Sequence, residues 1–296
     1  MKLKAKNAAE GIMTKKKTVA VYTPESRFRS PWVLLKEMGA GIIYGRELAW
    51  RLAVRDISAQ YRQTALGLIW ALILPVANTL VWIFLNGSGI VSVGKTELPY
   101  PVYVLTGTML WAIFMDALNA PLQDTMASKS MLTKINFPRE AIILAGIYKT
   151  LFNGSIKVAI MVLALLVLGI YPDWRLALFP LGVLSLIMAG TTLGLALAPI
   201  GLLYTDIGKG LPLVMQFLMY VTPVVFPMPS QGWTSVLLKL NPLSSLILTT
   251  RDWLTGFSPG YLSLFFWANG ILLVSLFVVL LVYRLVMPII IERMSA

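Results

Sequence analysis

The 296-residue chain contains no cysteine and no histidine, and only 13% of its residues are charged. Without cysteine there is no disulfide framework and no thiolate chemistry. Without histidine, imidazole acid–base catalysis and most transition-metal sites are excluded. A soluble domain carries about 25% charged residues, so the shortage of charge excludes that class as well. What fills the gap is apolar: 57% of the chain is hydrophobic, with a mean hydropathy of +0.77. The apolar residues come in runs of about 20, the length a helix needs to cross about 30 Å of hydrocarbon. The alternation of a membrane β-barrel is missing, so the spans must be helices that satisfy their own backbone groups. The fold class expected is an all-α polytopic membrane protein.

The formal net charge of +12 would suggest a nucleic acid partner in a soluble chain. Here it reads as topology, because Lys and Arg collect on cytoplasmic segments, and no nucleic acid is expected. Residues 1–30 are Lys-rich and lack apolar periodicity, which makes them a mobile basic cytoplasmic tail. Their lysines are not followed by the apolar stretch of a cleavable signal. Over 31–54, Pro31 can start a helix, and Leu34, Leu35, Met38, Ile42, Leu48 and Leu52 recur at helical spacing. Lys36, Glu37, Arg46, Glu47 and Arg51 lie between them. This is too polar to span, so it reads as an amphipathic helix in the interface plane, broken near Gly39, Gly41 and Gly45. Lipid anchoring and docking of a cytoplasmic partner both suit it. With the lead-in that follows it occupies 31–65, ahead of a six-helix membrane domain, 66–296.

The six spans expected are about 66–85, 102–121, 141–170, 176–203, 211–226 and 261–286. The fifth is short and bounded by Pro212, Pro223, Pro227 and Pro229, so it is kinked or partly broken. In this register 19 Lys and Arg fall on the side of the N-terminus and 4 (Lys95, Arg175, Lys239, Arg251) on the other. Both termini are therefore expected in the cytoplasm. The loop at about 123–140 can form one short helix that stops before Pro138. The semi-apolar stretch at about 228–260 has Asn241-Pro242 in its middle and reads as two short re-entrant helices before the last span.

Residues 89–96 fit the phosphate-loop pattern G-x-x-x-x-G-K-[ST], but that chemistry needs a strand before it and a helix directly after it. A membrane span precedes this stretch and Leu98-Pro99-Tyr100-Pro101 follows, so it is a decoy. Ionisable groups within spans are costly and point to function by default. Lys157 sits at mid-depth of span three, where pairing, lining a wet path and snorkelling are all open. Lys149 and Asp116 lie nearer the cytoplasmic surface, and Lys149 is expected to snorkel. Trp70, Trp82, Tyr103, Trp111 and Phe114 in the first two spans, with Phe217, Tyr220 and Phe226 in the fifth, suit either interfacial belts or a path on which sugar rings stack. Gly190-Thr191-Thr192-Leu193-Gly194 is a small-residue face for close helix packing.

An amphipathic cytoplasmic helix leads into Val54-Arg55-Asp56-Ile57 and Tyr61-Arg62-Gln63-Thr64-Ala65-Leu66-Gly67-Leu68-Ile69-Trp70. Further on come Lys134-Ile135-Asn136-Phe137-Pro138-Arg139-Glu140 and Asn241-Pro242-Leu243. Together these resemble the membrane subunit of type-2 ABC exporters of the polysaccharide branch, which serve O-antigen, capsule and teichoic acid. The resemblance covers about residues 30–296. It implies a permease subunit of the bacterial inner (cytoplasmic) membrane, surrounded by lipid, that forms a homodimer and docks two copies of a separate ABC ATPase. The substrate it implies is a lipid-linked polysaccharide, O-antigen or a related glycan. No catalytic residue, metal or cofactor is expected in this chain; ATP and Mg belong to the partner.

On that resemblance Trp70, Asn78, Trp82, Phe217 and Tyr220 line the translocation path, and Tyr61, Arg62 and Gln63 form a cytoplasmic gate. Lys36, Arg46, Ser128, Lys129, Met131, Lys134 and Asn136 face the ATPase, the loop at 123–140 serving as coupling helix. The helices at 228–260 gate the outer end. Rival readings are an exporter of small hydrophobic molecules and an ion-coupled secondary carrier, the latter disfavoured by sparse intramembrane carboxylates. A membrane-embedded transferase is disfavoured by the missing histidine and the missing DxD pair.

Overall fold

The computed structural model describes residues 31–62, 69–91, 93–94, 96–134, 139–229 and 231–295. The regular elements among them are helices: α1 Pro31–Arg62, α2 Trp70–Gly87, α3 Tyr100–Ala127, α4 Lys129–Lys134, α5 Glu140–Val167 and, after a 3-10 turn at Trp174–Leu178, α6 Phe179–Leu203. Then come α7 Asp206–Tyr220, α8 Trp233–Leu240, α9 Pro242–Thr255 and α10 Leu262–Ser295. The expected tail at 1–30, Gln63 and Asn136 lie outside the described residues, and of Lys36 and Lys134 only the backbone is described. The chain divides into Met1–Gly39 and Ala40–Ala296, and the packing below is that of the second unit.

Among the described residues, four stretches are long and apolar enough to cross a membrane: α3, α5, α6 with its 3-10 turn, and α10. They match the second, third, fourth and sixth expected spans. The 18-residue α2 covers most of the first. The 15-residue α7 spans only about 22 Å at 1.5 Å per residue, short of the roughly 30 Å hydrocarbon core. Its end has a local cause: Pro223 bars the preceding Thr222 from helical geometry. The expected pair of short helices is present as α8 and α9, with Asn241 capping α9 by accepting the Leu243 N–H at 3.0 Å and Pro242 at its first position.

Two expectations change. The helix expected over 31–54 and broken at its glycines instead runs unbroken to Arg62. Gly41 and Gly45 serve close approach: a Cβ on Gly41 would lie 3.0 Å from the Glu140 carboxyl, and one on Gly45 3.3 Å from Ala141. Packing against the start of α5 thus outweighs the roughly 1 kcal/mol propensity cost of each glycine. The loop helix is also shorter than expected. Residues 123–127 extend α3, the chain breaks at Ser128, and α4 begins at Lys129.

α3 is the central helix, packed most extensively on α6 and next on α5. Phe114, Leu118 and Leu122 form a buried row along it. Facing that row, a Cβ on Gly190 would fall 2.4 Å from the Phe114 carbonyl oxygen, and one on Gly194 2.2 Å from that of Leu118. In lipid, apolar burial between helices brings little gain, so such backbone-to-backbone contact is a main source of cohesion. Gly194→Leu must displace a backbone and is expected to remove folded protein from the membrane. Gly210→Leu, at a site with nothing within 4 Å, should leave it near the wild-type level; fluorescence-detected size exclusion of the solubilised chain separates the two.

Candidate functional site

Two of the sequence-predicted path residues come together. The Trp82 ring of α2 meets the Tyr220 ring of α7 edge to face, with centroids 6.4 Å apart. Asn78 lies one turn before Trp82 on α2 and is exposed, as are Trp70, Phe217 and Tyr220. Trp82 is half-buried and backs onto the main core. Aromatic edges with an amide beside them offer apolar faces and a hydrogen-bonding group on one surface. The span-two aromatics behave otherwise. Tyr103, Trp111 and Phe114 are buried in the core because they sit on the faces of α3 that α6 and its neighbours cover, so they form neither belt nor path.

At the α1 end of the bundle, Ala49, Leu52 and Ala53 pack on Ala141 and Ala145 of α5. Away from that contact α1 leaves Ile43, Tyr44 and Val54 exposed beside the Glu47–Arg51 ion pair, and the exposed Trp50 still meets the Tyr148 ring of α5 edge to face, so the helix has a protein face and a mixed apolar and charged outer face. Arg46 and Arg62 are exposed; Tyr61 is held on α5, its hydroxyl donating to Asn153 Oδ1 at 3.0 Å. The residues of and before α4 divide in two. Lys129 is exposed and Ser128 half-buried. Met131 joins the α1–α5 cluster, and Leu132 is buried with Tyr283 and Met287 of α10. Six residues thereby pack on the α1–α5 cluster on one side and on α10 on the other.

Beside α4 lies a cavity of about 500 Å³ lined by Arg55, Asp56, Asp124, Ser128, Met131 and Lys149 among others. Lys149 does not snorkel. Its Nζ donates to Asp124 Oδ1 and lies 3.5 Å from Asp56 Oδ2, because two carboxylates on neighbouring helices offer a charge-assisted bond in the interior. Deeper in the bundle Lys157 Nζ donates to Asp116 Oδ2 at 2.5 Å, which selects pairing among the three roles open to it. Arg284 of α10 reaches Glu140 at the start of α5 at 2.9 Å. At the other end, in α9, burial pushes the Asp252 carboxyl up to about 6, with Arg251 opposing the rise and Glu97 adding to it.

Against known proteins, the profile of the ABC-2 type transporter family matches residues 47–252, which takes in α2 to α8, the second half of α1 and most of α9. The chain belongs to the ABC-2 type transporter family. It is 25% identical over 206 residues to the O-antigen export system permease protein RfbA of Myxococcus xanthus, covering 68% of this chain and 78% of that one. It is 26% identical over 240 residues to the polysialic acid transport protein KpsM of Escherichia coli, covering 79% and 91%. The RfbA protein of Klebsiella pneumoniae is 23% identical over 209 residues, 67% of this chain and 76% of its own length.

In this ABC-2 transporter what sequence reasoning missed is which residue answers a buried charge or a broken helix end. Asp116 and Asp124 stand 41 and 25 positions from their lysines, so no local spacing announces either pair. Arg251, read as a charge of the outer loops, is 1% exposed. Removing one member of a buried pair strands the other, which costs about 3–5 kcal/mol when fully buried. With the Asp116 side chain 32% exposed, Asp116→Ala is expected to cost about 2 kcal/mol by the same reasoning. The double replacement Asp116→Leu with Lys157→Met should restore most of that loss, as read by thermal unfolding in lipid nanodiscs.

Proposed function

We propose that this chain is the membrane subunit of an ATP-driven exporter that carries a lipid-linked polysaccharide, O-antigen or a related glycan, out of the cytoplasm. Two copies of the chain and two copies of an ABC ATPase, which holds ATP and Mg, make up the working unit in the bacterial inner membrane. The proposal takes its transporter class from the ABC-2 family and its substrate class from the names of the relatives. The observation within the chain that carries it is the Trp82–Tyr220 edge contact, with Asn78 and Phe217 exposed about one turn away on the same two helices and Trp70 exposed at the start of α2. In a single chain these residues face outward; between two copies they would line a shared path. Pyranose rings present apolar C–H faces to such aromatic surfaces and hydroxyls to an amide such as Asn78.

Energy would enter at the α1 end. Arg46, Ser128 and Lys129 offer polar and basic groups to an ATPase surface, and Met131 and Leu132 tie α4 to both α1 and α10. A push on α4 would therefore move α1, with Tyr61 and Arg62 at its end, and α10 together. In this reading both termini lie in the cytoplasm, α2 and α7 complete six spans, and α8 and α9 dip back into the far side of the membrane. The exposed Ile43, Tyr44 and Trp50 of α1 would rest on lipid. Replacing both Trp82 and Tyr220 by Ala is expected to lower glycan export at least about tenfold, the scale of 1.4 kcal/mol on the barrier, with assembly on the ATPase unchanged. Glycan export at the wild-type rate would remove the path assignment, and ATPase stimulation by hydrophobic drugs instead of glycolipid would replace the substrate class.

A further inference from the structure

At the end of α7 the chain leaves the helix while still inside protein. Residues 221–226 form turns, yet Thr222, Val224 and Val225 are almost wholly buried. The Pro223 and Val224 carbonyls there lack both helical donors and water, and an unmet buried acceptor is costly. Side chains supply the donors. Asn241 Nδ2 donates to Val221 O at 2.9 Å and Arg251 Nη2 to Val224 O at 2.7 Å, with Pro223 O 3.3 Å away. The Tyr103 hydroxyl of α3 donates to Phe226 O at 2.9 Å. Asn241 caps α9 and Arg251 lies near its other end, so one helix grips the broken segment at two places.

Arg251 is the more telling of the two. Its guanidinium carbon stands 3.8 Å from the centre of the Tyr103 ring, a cation–π contact, and among the described residues no carboxylate bridges to it. Gly107, one turn beyond Tyr103, completes the fit. A Cβ there would fall 2.0 Å from Val224 O and 2.3 Å from Arg251 Nη2. α3, the 221–226 segment and α9 therefore meet without a gap, with the guanidinium at their junction. A buried cation without a bridging carboxylate is a poor source of stability compared with an apolar side chain of similar volume. What it supplies is a fixed direction for two carbonyls.

Those carbonyls lie three and four residues past Tyr220, whose ring rests on Trp82. We propose that Arg251 is a positioning residue for transport: by holding the Pro223 and Val224 carbonyls against α3, it sets where the last turn of α7 ends and so where the Tyr220 ring stands. It touches no path residue itself. The inference rests on the assignment of Trp82 and Tyr220 to the path.

The test is a double-mutant cycle on the export rate of the full chain with its ATPase, using Arg251→Met, Tyr220→Ala and the pair. Arg251→Met is expected to slow export about tenfold without loss of the ATPase complex, and Arg251→Lys, which keeps the charge and a donor, to recover part of it. Because Arg251 acts through Tyr220, the double variant should be no slower than the slower single, the signature of coupled sites. Tyr220→Ala exporting at the wild-type rate would remove the path assignment, whatever Arg251→Met does. Tyr220→Ala impaired with Arg251→Met normal, or two effects that simply multiply, would overturn the Arg251 proposal alone. Failure of both Arg251 variants to assemble with the ATPase would make the residue one of folding only and overturn it equally.

Discussion

Between α3 and α6, Gly190 and Gly194 bring two backbones to within the space of a methyl group, and lipid offers no hydrophobic gain that could substitute for this contact. Everything else is hung on that seam. α3 carries Asp116 and Asp124 toward α5, Tyr103 and Gly107 toward α9, and, through the break at Ser128, positions α4. α6 receives α9 through Gly182, where a Cβ would overlap the Thr250 hydroxyl at 2.2 Å. A small displacement along α3 and α6 would thus reach both ends of the molecule.

The interior ion pairs and the carbonyls of the broken helix end share one feature: the partner comes from a different helix. Lys157 is met by Asp116, Lys149 by Asp124 and Asp56, and Glu140 by Arg284. The carbonyls of 221–226 are met by Asn241, Arg251 and Tyr103. Such pairs add little net stability over apolar packing, but breaking one is expensive, which makes them devices for fixing which helix lies beside which. In a transporter this matters more than bulk stability. Under the proposed mechanism, the same contacts would decide which helices travel together when a partner pushes α4.

Much of the architecture is legible in the sequence. Apolar run length gives the four long spans, Asn241-Pro242 gives the joint between α8 and α9, and the glycine pair at 190 and 194 gives the close seam between α6 and α3. Legibility fails where a residue's partner lies far along the chain. Nothing near Lys149 or Lys157 says which carboxylate will face it, and Arg251 reads as a surface charge until α9 is seen folded against α3. Residue type also underdetermines face. Trp82 and Trp111 look alike in sequence, yet one edges the candidate path and the other fills the core. Glycine misleads in the opposite sense in α1, where tight packing on α5 keeps a helix that propensity alone would break. The motif residues fare unevenly: Trp82 and Tyr220 meet, Met131 packs inward, and Gln63 and Asn136 lie outside the described residues.

The most direct measurement is co-purification from membranes in which the chain is co-expressed with an ABC ATPase from the same organism, followed by mass and ATP-hydrolysis measurements in lipid nanodiscs. A stable complex of two permease and two ATPase subunits that hydrolyses ATP is expected. A chain that purifies alone, with no ATP-hydrolysing subunit attached even after crosslinking in intact membranes, would contradict it.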